Sequence, residues 1–186
     1  MEVVRYLVDQ GADVNVRNRQ GPTALLFVGP LIQGKFPLAE SALAERLIRA
    51  GADVNARDSQ GSSPLLNWVF GPPEPVKILL KAGADPNARD HMGMGSLLVA
   101  AMFNGTPCSD EVLSLLVDAG ADPNVRANDD TTPLWIAALR GRVRDVAVLL
   151  DAGADVDTRM EGMTPLHAAT GIIGMATRDN RGSFDE

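Results

Sequence analysis

Apolar residues recur along most of the chain at intervals of three and four positions, which is the spacing of one face of an α-helix. The pattern is clearest in five segments, at residues 3–8, 44–48, 76–80, 112–117 and 146–150. Each segment runs up to a glycine, the residue best able to take the left-handed conformation that closes a helix. The pattern therefore predicts five helices, each ended by a glycine.

These glycines open a string, Gly-Ala-Asp-(Val/Pro)-(Asn/Asp), that occurs five times. The strings begin at Gly11, Gly51, Gly83, Gly120 and Gly153, at intervals of 40, 32, 37 and 33 residues. A polar stretch follows each string, and a second short apolar segment comes next, clearest at 97–101 and 134–138. The repeating unit is therefore turn, helix, loop, helix, and a regular period of this length indicates a stacked array.

The helix that follows each polar turn has its own start signal. Ser63-Pro64, Thr132-Pro133 and Thr164-Pro165 each place a hydroxyl before a proline. A hydroxyl side chain caps the first free amides of a helix, and proline is well suited to the first helical position. We therefore expect helices to begin at these prolines.

Composition narrows the functional classes. The chain has 186 residues, of which 45% are hydrophobic and 22% charged, and its formal net charge is −7. A net-acidic chain is poorly suited to neutralising phosphates, so nucleic acid is not expected as a partner. One cysteine, Cys108, excludes an internal disulfide and favours a reducing compartment. No apolar run reaches the ~18 residues of a membrane span and no signal segment is visible, so we expect a cytoplasmic protein without a membrane partner.

The sequence contains no recognisable catalytic constellation. Cys108 has no histidine in the turn of its own repeat, and Gly93-Met94-Gly95 lacks the third glycine of a dinucleotide site. The aspartates of the five strings recur at a fixed position, where an Asp side chain caps local amides. We therefore predict no enzyme activity, cofactor, metal or small-molecule substrate.

The unit resembles the ankyrin repeat. Thr164-Pro165-Leu166-His167-Ala168-Ala169 matches the start of that motif, and Gly51-Ala52-Asp53-Val54-Asn55-Ala56 matches its end. The resemblance covers roughly residues 2–171. It implies an all-α, ankyrin-like solenoid of stacked helix-turn-helix repeats, with hairpin-like turns between the units.

The string positions divide the chain into units. We expect a half repeat at 1–15, full repeats at 16–55, 56–87, 88–124 and 125–157, a half repeat at 158–171, and a non-consensus, flexible tail at 172–186. The half repeats suggest a fragment of a longer array. Extra residues at 28–37 and 104–110 are expected in loops, either as tolerated length drift or as contact segments.

Two rows of residues stand out across the repeats. The first is a row of arginines, each two residues after a string: Arg17, Arg57, Arg89, Arg126 and Arg159. These arginines either form a basic ridge for an acidic partner or are structural residues paired with Asp58 and Asp90. The apolar row comprises Phe70, Met102, Phe103 and Leu139, expected either on the concave face or in the core. Met92 and Met94 are expected at the third turn tip.

The resemblance implies that the chain binds another protein through its turn tips and the concave surface of helix 1. The candidate contact residues are Arg57, Arg89, His91, Met92, Phe103, Arg126, Leu139 and Arg140. The alternative is a passive spacer or targeting fragment of a larger multidomain protein whose activity lies elsewhere.

Overall fold

The computed structural model describes residues 2–19, 21–27, 38–102 and 109–178. Within these ranges the chain forms ten helices: α1 (Glu2–Asp9), α2 (Ala24–Phe27), α3 (Leu38–Arg49), α4 (Pro64–Trp68), α5 (Pro73–Lys81), α6 (Ser96–Met102), α7 (Ser109–Asp118), α8 (Pro133–Leu139), α9 (Val143–Asp151) and α10 (Pro165–Arg178). The expected loop at 28–37, the candidate Phe103 and Cys108 lie outside the described residues.

The helices form two rows. One row contains α2, α4, α6, α8 and α10, the other contains α1, α3, α5, α7 and α9, and successive helices of each row pack against each other. Contacts between α4 and α5, α6 and α7, and α8 and α9 join the rows within a unit. The described residues form no β-strand, only two isolated bridges at the turns. The predicted all-α solenoid of helix-turn-helix repeats is therefore confirmed.

A pair of leucines fills the centre of each full unit. The first helix of each full unit contributes one leucine that is at most 2% exposed: Leu25, Leu65, Leu97 and Leu134. Leu47, Leu79, Leu116 and Leu149 lie in the second helix and are at most 1% exposed. All eight leucines belong to one continuous core cluster that runs through the four units. Full burial of a leucine side chain contributes about 1.5–3 kcal/mol, so this repeated pair is a major source of stability.

The predicted helix boundaries are confirmed where the caps are described. The Ser63 hydroxyl accepts a hydrogen bond from the Leu66 amide at 3.2 Å, and α4 begins at Pro64. The Thr132 hydroxyl accepts one from the Trp135 amide at 3.3 Å, and α8 begins at Pro133. The five string glycines have φ angles of +83° to +90°, so each takes the left-handed conformation expected after a helix.

The last helix differs from the sequence expectation. α10 continues to Arg178, seven residues beyond the point where the repeat motif ends. Residues 172–178, expected as the start of a flexible tail, are therefore helical. Proline is the strongest helix breaker, and none follows Pro165 within α10, so the helix continues past the repeat motif. Residues 179–186 lie outside the described part of the chain.

Two adjacent leucines of α5 test the core. Leu79 is fully buried, whereas Leu80 is only partly buried at the edge of the core. Leu79→Ala should lower the free energy of unfolding by about 2–5 kcal/mol, because it leaves a cavity among well-packed neighbours. Leu80→Ala removes the same atoms from the same helix and should cost clearly less. Urea denaturation followed by circular dichroism measures both; equal losses would contradict this account of the core.

Candidate interaction surface

A side-chain amide joins each repeat to the next. The Asn87 Nδ2 donates to the Gly120 carbonyl at 2.9 Å, and the Asn87 Oδ1 accepts from the Asp122 amide at 2.7 Å. The same two bonds are made by Asn15 to Gly51 and Asp53, by Asn55 to Gly83 and Asp85, and by Asn124 to Gly153 and Asp155. We call these four residues the asparagine clamp. Each clamp residue satisfies one backbone carbonyl and one backbone amide of the following repeat.

The string aspartates organise the backbone that holds the clamp. The Asp85 Oδ1 accepts a hydrogen bond from the Asn87 amide at 2.9 Å, and the other four string aspartates accept the equivalent bond. These bonds are the local caps that the sequence predicts. They hold the backbone of each clamp residue in place, and from there its side chain reaches the next repeat.

The arginine row forms a second connection between repeats. The Arg57 Nη1 donates to the Gly61 carbonyl at 2.8 Å and to the Arg89 carbonyl at 2.6 Å. The guanidinium of Arg89 donates in turn to the carbonyls of Gly93 and Arg126. Arg17 donates to Gly21 and Arg57, and Arg126 to Arg159 and the Thr158 hydroxyl. We call this set the arginine ladder, because each guanidinium binds the carbonyl of the next arginine.

Asp58 and Asp90, the partners that one interpretation of the arginine row gave to the arginines, bind backbone amides instead. The Asp58 Oδ1 accepts from the amides of Gln60 and Ser62 at 2.8 and 2.9 Å. The Asp90 Oδ1 accepts from the amides of Met92 and Met94 at the same two distances. A carboxylate at this position therefore closes its own turn by binding the backbone amides two and four residues ahead.

The third turn tip carries two exposed candidate residues, His91 and Met92. The His91 amide donates to the Gln60 carbonyl at 2.9 Å, which ties this tip to the previous one. On the other side, the Asn128 amide donates to the Met92 carbonyl at 2.9 Å and the Asn128 Nδ2 to the His91 carbonyl at 3.0 Å. The backbone is thus held from both sides, while the Met92 side chain is 69% exposed.

The His91 ring also explains a glycine in the neighbouring turn. A Cβ atom on Gly61 would lie 2.8 Å from the His91 Cδ2 and 3.2 Å from the His91 amide nitrogen. Gly61 has a φ angle of +80°, which side chains rarely adopt. Only glycine therefore fits beneath the His91 ring.

The apolar row divides between the surface and the core. Met102 and Leu139 are half-buried and pack against the core, as one of the two interpretations expected. Phe70 is 37% exposed, and Arg140 lies exposed at the end of α8. Leu139 can therefore offer a partner only part of its side chain.

The fourth turn tip is acidic. Asp129 and Asp130 are both exposed there. Hydrogen bonding from the Thr131 side chain, and then from the Thr131 amide, holds the pKa of Asp129 below its ordinary value. Asp130 takes a φ angle of +64° where other units have a turn glycine, and the turn is retained. The third turn tip therefore presents His91 and Met92, whereas the next tip along the array presents two carboxylates.

The described part of the chain contains neither a candidate metal site nor a candidate membrane span. No group of three or more His, Cys, Asp or Glu residues in those ranges could hold a metal ion. None of the helices described there is long and apolar enough to cross a bilayer.

Removing one clamp residue tests its contribution. Asn87→Ala should lower the free energy of unfolding by about 1–2 kcal/mol, since two hydrogen bonds of about 1 kcal/mol each are lost. Asn67→Ala is the matched control, because within the described ranges the Asn67 side chain in α4 has no hydrogen-bond partner. Chemical denaturation of both variants gives the comparison, and an Asn87 effect no larger than the Asn67 effect would contradict a clamp.

Comparison with known families agrees with this geometry. The family described as ankyrin repeats (3 copies) matches residues 97–176, and the family described as ankyrin repeat matches residues 1–19 and 60–91. Together these ranges cover more than half of the chain. No curated protein matches it significantly. Ankyrin repeats are generally protein–protein interaction modules and are typically non-catalytic. With matching family models, two rows of stacked helices and five recurring strings, the chain belongs to the ankyrin repeat family.

Proposed function

We propose that the chain binds another protein through its turn tips and the adjoining ends of α4, α6 and α8, without catalysis of its own. The observation that carries this proposal is the third turn tip. There an exposed Met92 side chain stands on a backbone held by hydrogen bonds from both neighbouring turns.

The chemistry of Met92 suits a contact residue. Methionine is flexible and polarisable, and it is enriched with aromatic and arginine side chains at the centre of protein interfaces. Because the Met92 backbone is already fixed, binding there orders only a side chain. A smaller entropy loss leaves more of the contact energy available for affinity.

Exposed His91 and Arg140 extend this surface, and Arg140 adds a positive charge at the end of α8. Arg57, Arg89 and Arg126 add guanidinium groups beside the tips. Each uses some N–H groups to donate to backbone carbonyls, and Arg126 also forms an ion pair with Asp130 at 3.9 Å. A partner with an acidic patch would complement this side of the molecule. Phe103 and the exposed part of Leu139 complete the proposed contact set. The single cysteine supports a reducing, cytoplasmic setting for the interaction.

Substitution of the arginine ladder is a poor test of binding. Glutamate at Arg57, Arg89 or Arg126 would place a carboxylate beside the carbonyl that the guanidinium now binds. The repulsion would disturb the joint between two repeats, so lost binding would not separate a contact from a damaged fold. Met92 makes no such side-chain bond, so substitution of Met92 distinguishes a lost contact from a damaged fold.

Met92→Glu should therefore reduce partner binding while the fold stays intact. We expect at least about a tenfold loss of affinity, because a charge replaces an apolar side chain at the centre of the proposed contact. Affinity capture from a cell lysate, quantified by mass spectrometry, identifies the proteins that wild type retains. Titration of the chief captured protein then gives its dissociation constant for each variant.

Arg49→Glu is the matched control, because the Arg49 side chain is 79% exposed on α3, in the other row of helices. The control should bind as wild type does. The same captured proteins and affinities for all three chains would contradict this surface. That result would favour the alternative, a passive spacer or targeting fragment of a larger protein.

A further inference from the structure

A polar cavity lies between the third and fourth strings, and it has a volume of about 400 Å³. Six residues of these strings and of the positions just after them line it: Asn87, Arg89, Asp122, Asn124, Val125 and Arg126. Five of the six are exposed and Val125 is half-buried, so a ligand can enter without opening the fold. The volume is near the lower end of the ~300–1,000 Å³ that is usual for ligand sites, which suits one side chain of a partner.

The lining of this cavity is positive, although the whole chain is acidic. Two guanidinium groups and one carboxylate line it, which leaves a charge of +1 in a chain whose formal net charge is −7. Asp130, whose Oδ1 lies 3.9 Å from the Arg126 Nη1, does not belong to the lining. Because a concave surface concentrates the field of the charges along it, the cavity attracts a negative group.

Four side chains of the lining keep N–H groups that no described residue accepts. The Arg89 Nε donates to the Gly93 carbonyl at 3.0 Å and the Nη2 to the Arg126 carbonyl, which leaves the Nη1 group. Arg126 donates through Nη1 and Nη2, which leaves the Nε–H. The clamp amides of Asn87 and Asn124 each use one of their two N–H groups. Donors on four side chains thus surround the cavity, against a single carboxylate.

Both guanidinium groups are held in place by bonds that already exist in the folded chain. That of Arg89 donates to two backbone carbonyls, and that of Arg126 donates to one carbonyl and to the Thr158 hydroxyl at 2.8 Å. Part of the side-chain entropy that an arginine loses on binding is therefore lost already on folding. A guanidinium is planar, and its neighbouring N–H groups match the two oxygens of a carboxylate. The donors are thus arranged for a carboxylate before it binds.

We propose that this cavity binds one acidic side chain, a glutamate or an aspartate, of the partner protein. The inference rests on the proposed function and deepens it, because it names the chemical group that the partner contributes. Arg89 connects the cavity to the third turn tip, since its guanidinium donates to the carbonyl of Gly93, the residue after Met92. A partner segment therefore places an apolar residue on Met92 and a neighbouring carboxylate in the cavity.

Asp122 weakens this binding and provides the sharpest test of it. Its Oδ1 accepts from the Asn124 amide at 2.8 Å, and its negative charge opposes a second carboxylate in the same cavity. Asp122→Asn removes the charge, while the amide oxygen of asparagine can accept the same hydrogen bond. The dissociation constant for an acidic side chain should therefore fall by about two- to fivefold, the range for one exposed pair of charges.

An NMR titration of the full chain measures this binding. The probe is the peptide Gly-Ser-Glu-Ser-Gly with both termini blocked, and the same peptide with a central glutamine is the matched uncharged probe. The glutamate peptide should shift the Nε–Hε signals of Arg89 and Arg126 until they saturate, because both side chains line the cavity. The glutamine peptide should leave both signals in place. The amide spectrum recorded in the same titration shows whether Asp122→Asn keeps the fold.

Asp118→Asn is the matched control, because Asp118 is exposed at the end of α7 and does not line the cavity. It changes the net charge of the chain by the same amount as Asp122→Asn, and it should leave the dissociation constant at the wild-type value. Equal tightening in both variants would mean attraction to the chain as a whole and would overturn the proposal. Equal shifts with both peptides, or no saturable shift at Arg89 and Arg126, would also overturn it.

The cavity and the tip surface can fail separately. If the glutamate peptide does not bind but Met92→Glu still loses the captured partner, the cavity assignment is wrong and the tip surface stands. If the peptide binds as expected but Met92→Glu keeps the partner, the cavity holds carboxylates and the tip surface is wrong. The captured partner itself should bind Asp122→Asn more tightly than Asp118→Asn.

Discussion

The hydrogen bonds from a side-chain amide to the backbone of the next repeat set the geometry on which the array depends. Asn87 binds both the Gly120 carbonyl and the Asp122 amide, so the spacing and direction between two strings are fixed together. The arginine ladder also joins adjacent repeats, through guanidinium groups that bind backbone carbonyls closer to the turn tips. Because each bond joins only adjacent repeats, the position of any tip follows from the joints on either side of it.

Core and polar connections have different roles. Burial of the leucine pairs supplies much of the stabilising free energy, but hydrophobic association has little directional preference. Hydrogen bonds require a narrow range of distance and angle, so the asparagine clamp fixes how one repeat sits on the next. The backbone of the tip at His91 and Met92 is held by separate hydrogen bonds, to the Gln60 carbonyl on one side and from Asn128 on the other.

Much of the fold could be predicted from the sequence, because its signals are local. The string glycines, the Ser63-Pro64 and Thr132-Pro133 helix starts and the apolar spacing all act within a few residues. The partners of the arginine row could not be predicted in this way, since each guanidinium binds a backbone carbonyl 32 to 40 residues away. Recurrence of Asn at one string position was a visible signal of the clamp, but the backbone groups that it binds lie 28 to 38 residues away in the sequence. The partial burial of Leu139 likewise depends on packing between helices. The end of α10 could not be predicted from glycine positions, because the helix continues through Gly171 and Gly174.

Native-state hydrogen exchange, measured by NMR in wild type and in Asn87→Ala, tests the clamp most directly. The amides of Asp53, Asp85, Asp122 and Asp155 make equivalent bonds to four different asparagines. Our account predicts that the variant loses protection at Asp122, while the Asp53 and Asp155 amides, held at other joints, keep theirs. Unchanged exchange at Asp122, or an equal rise at all four amides, would contradict the claim that each joint is held by its own asparagine.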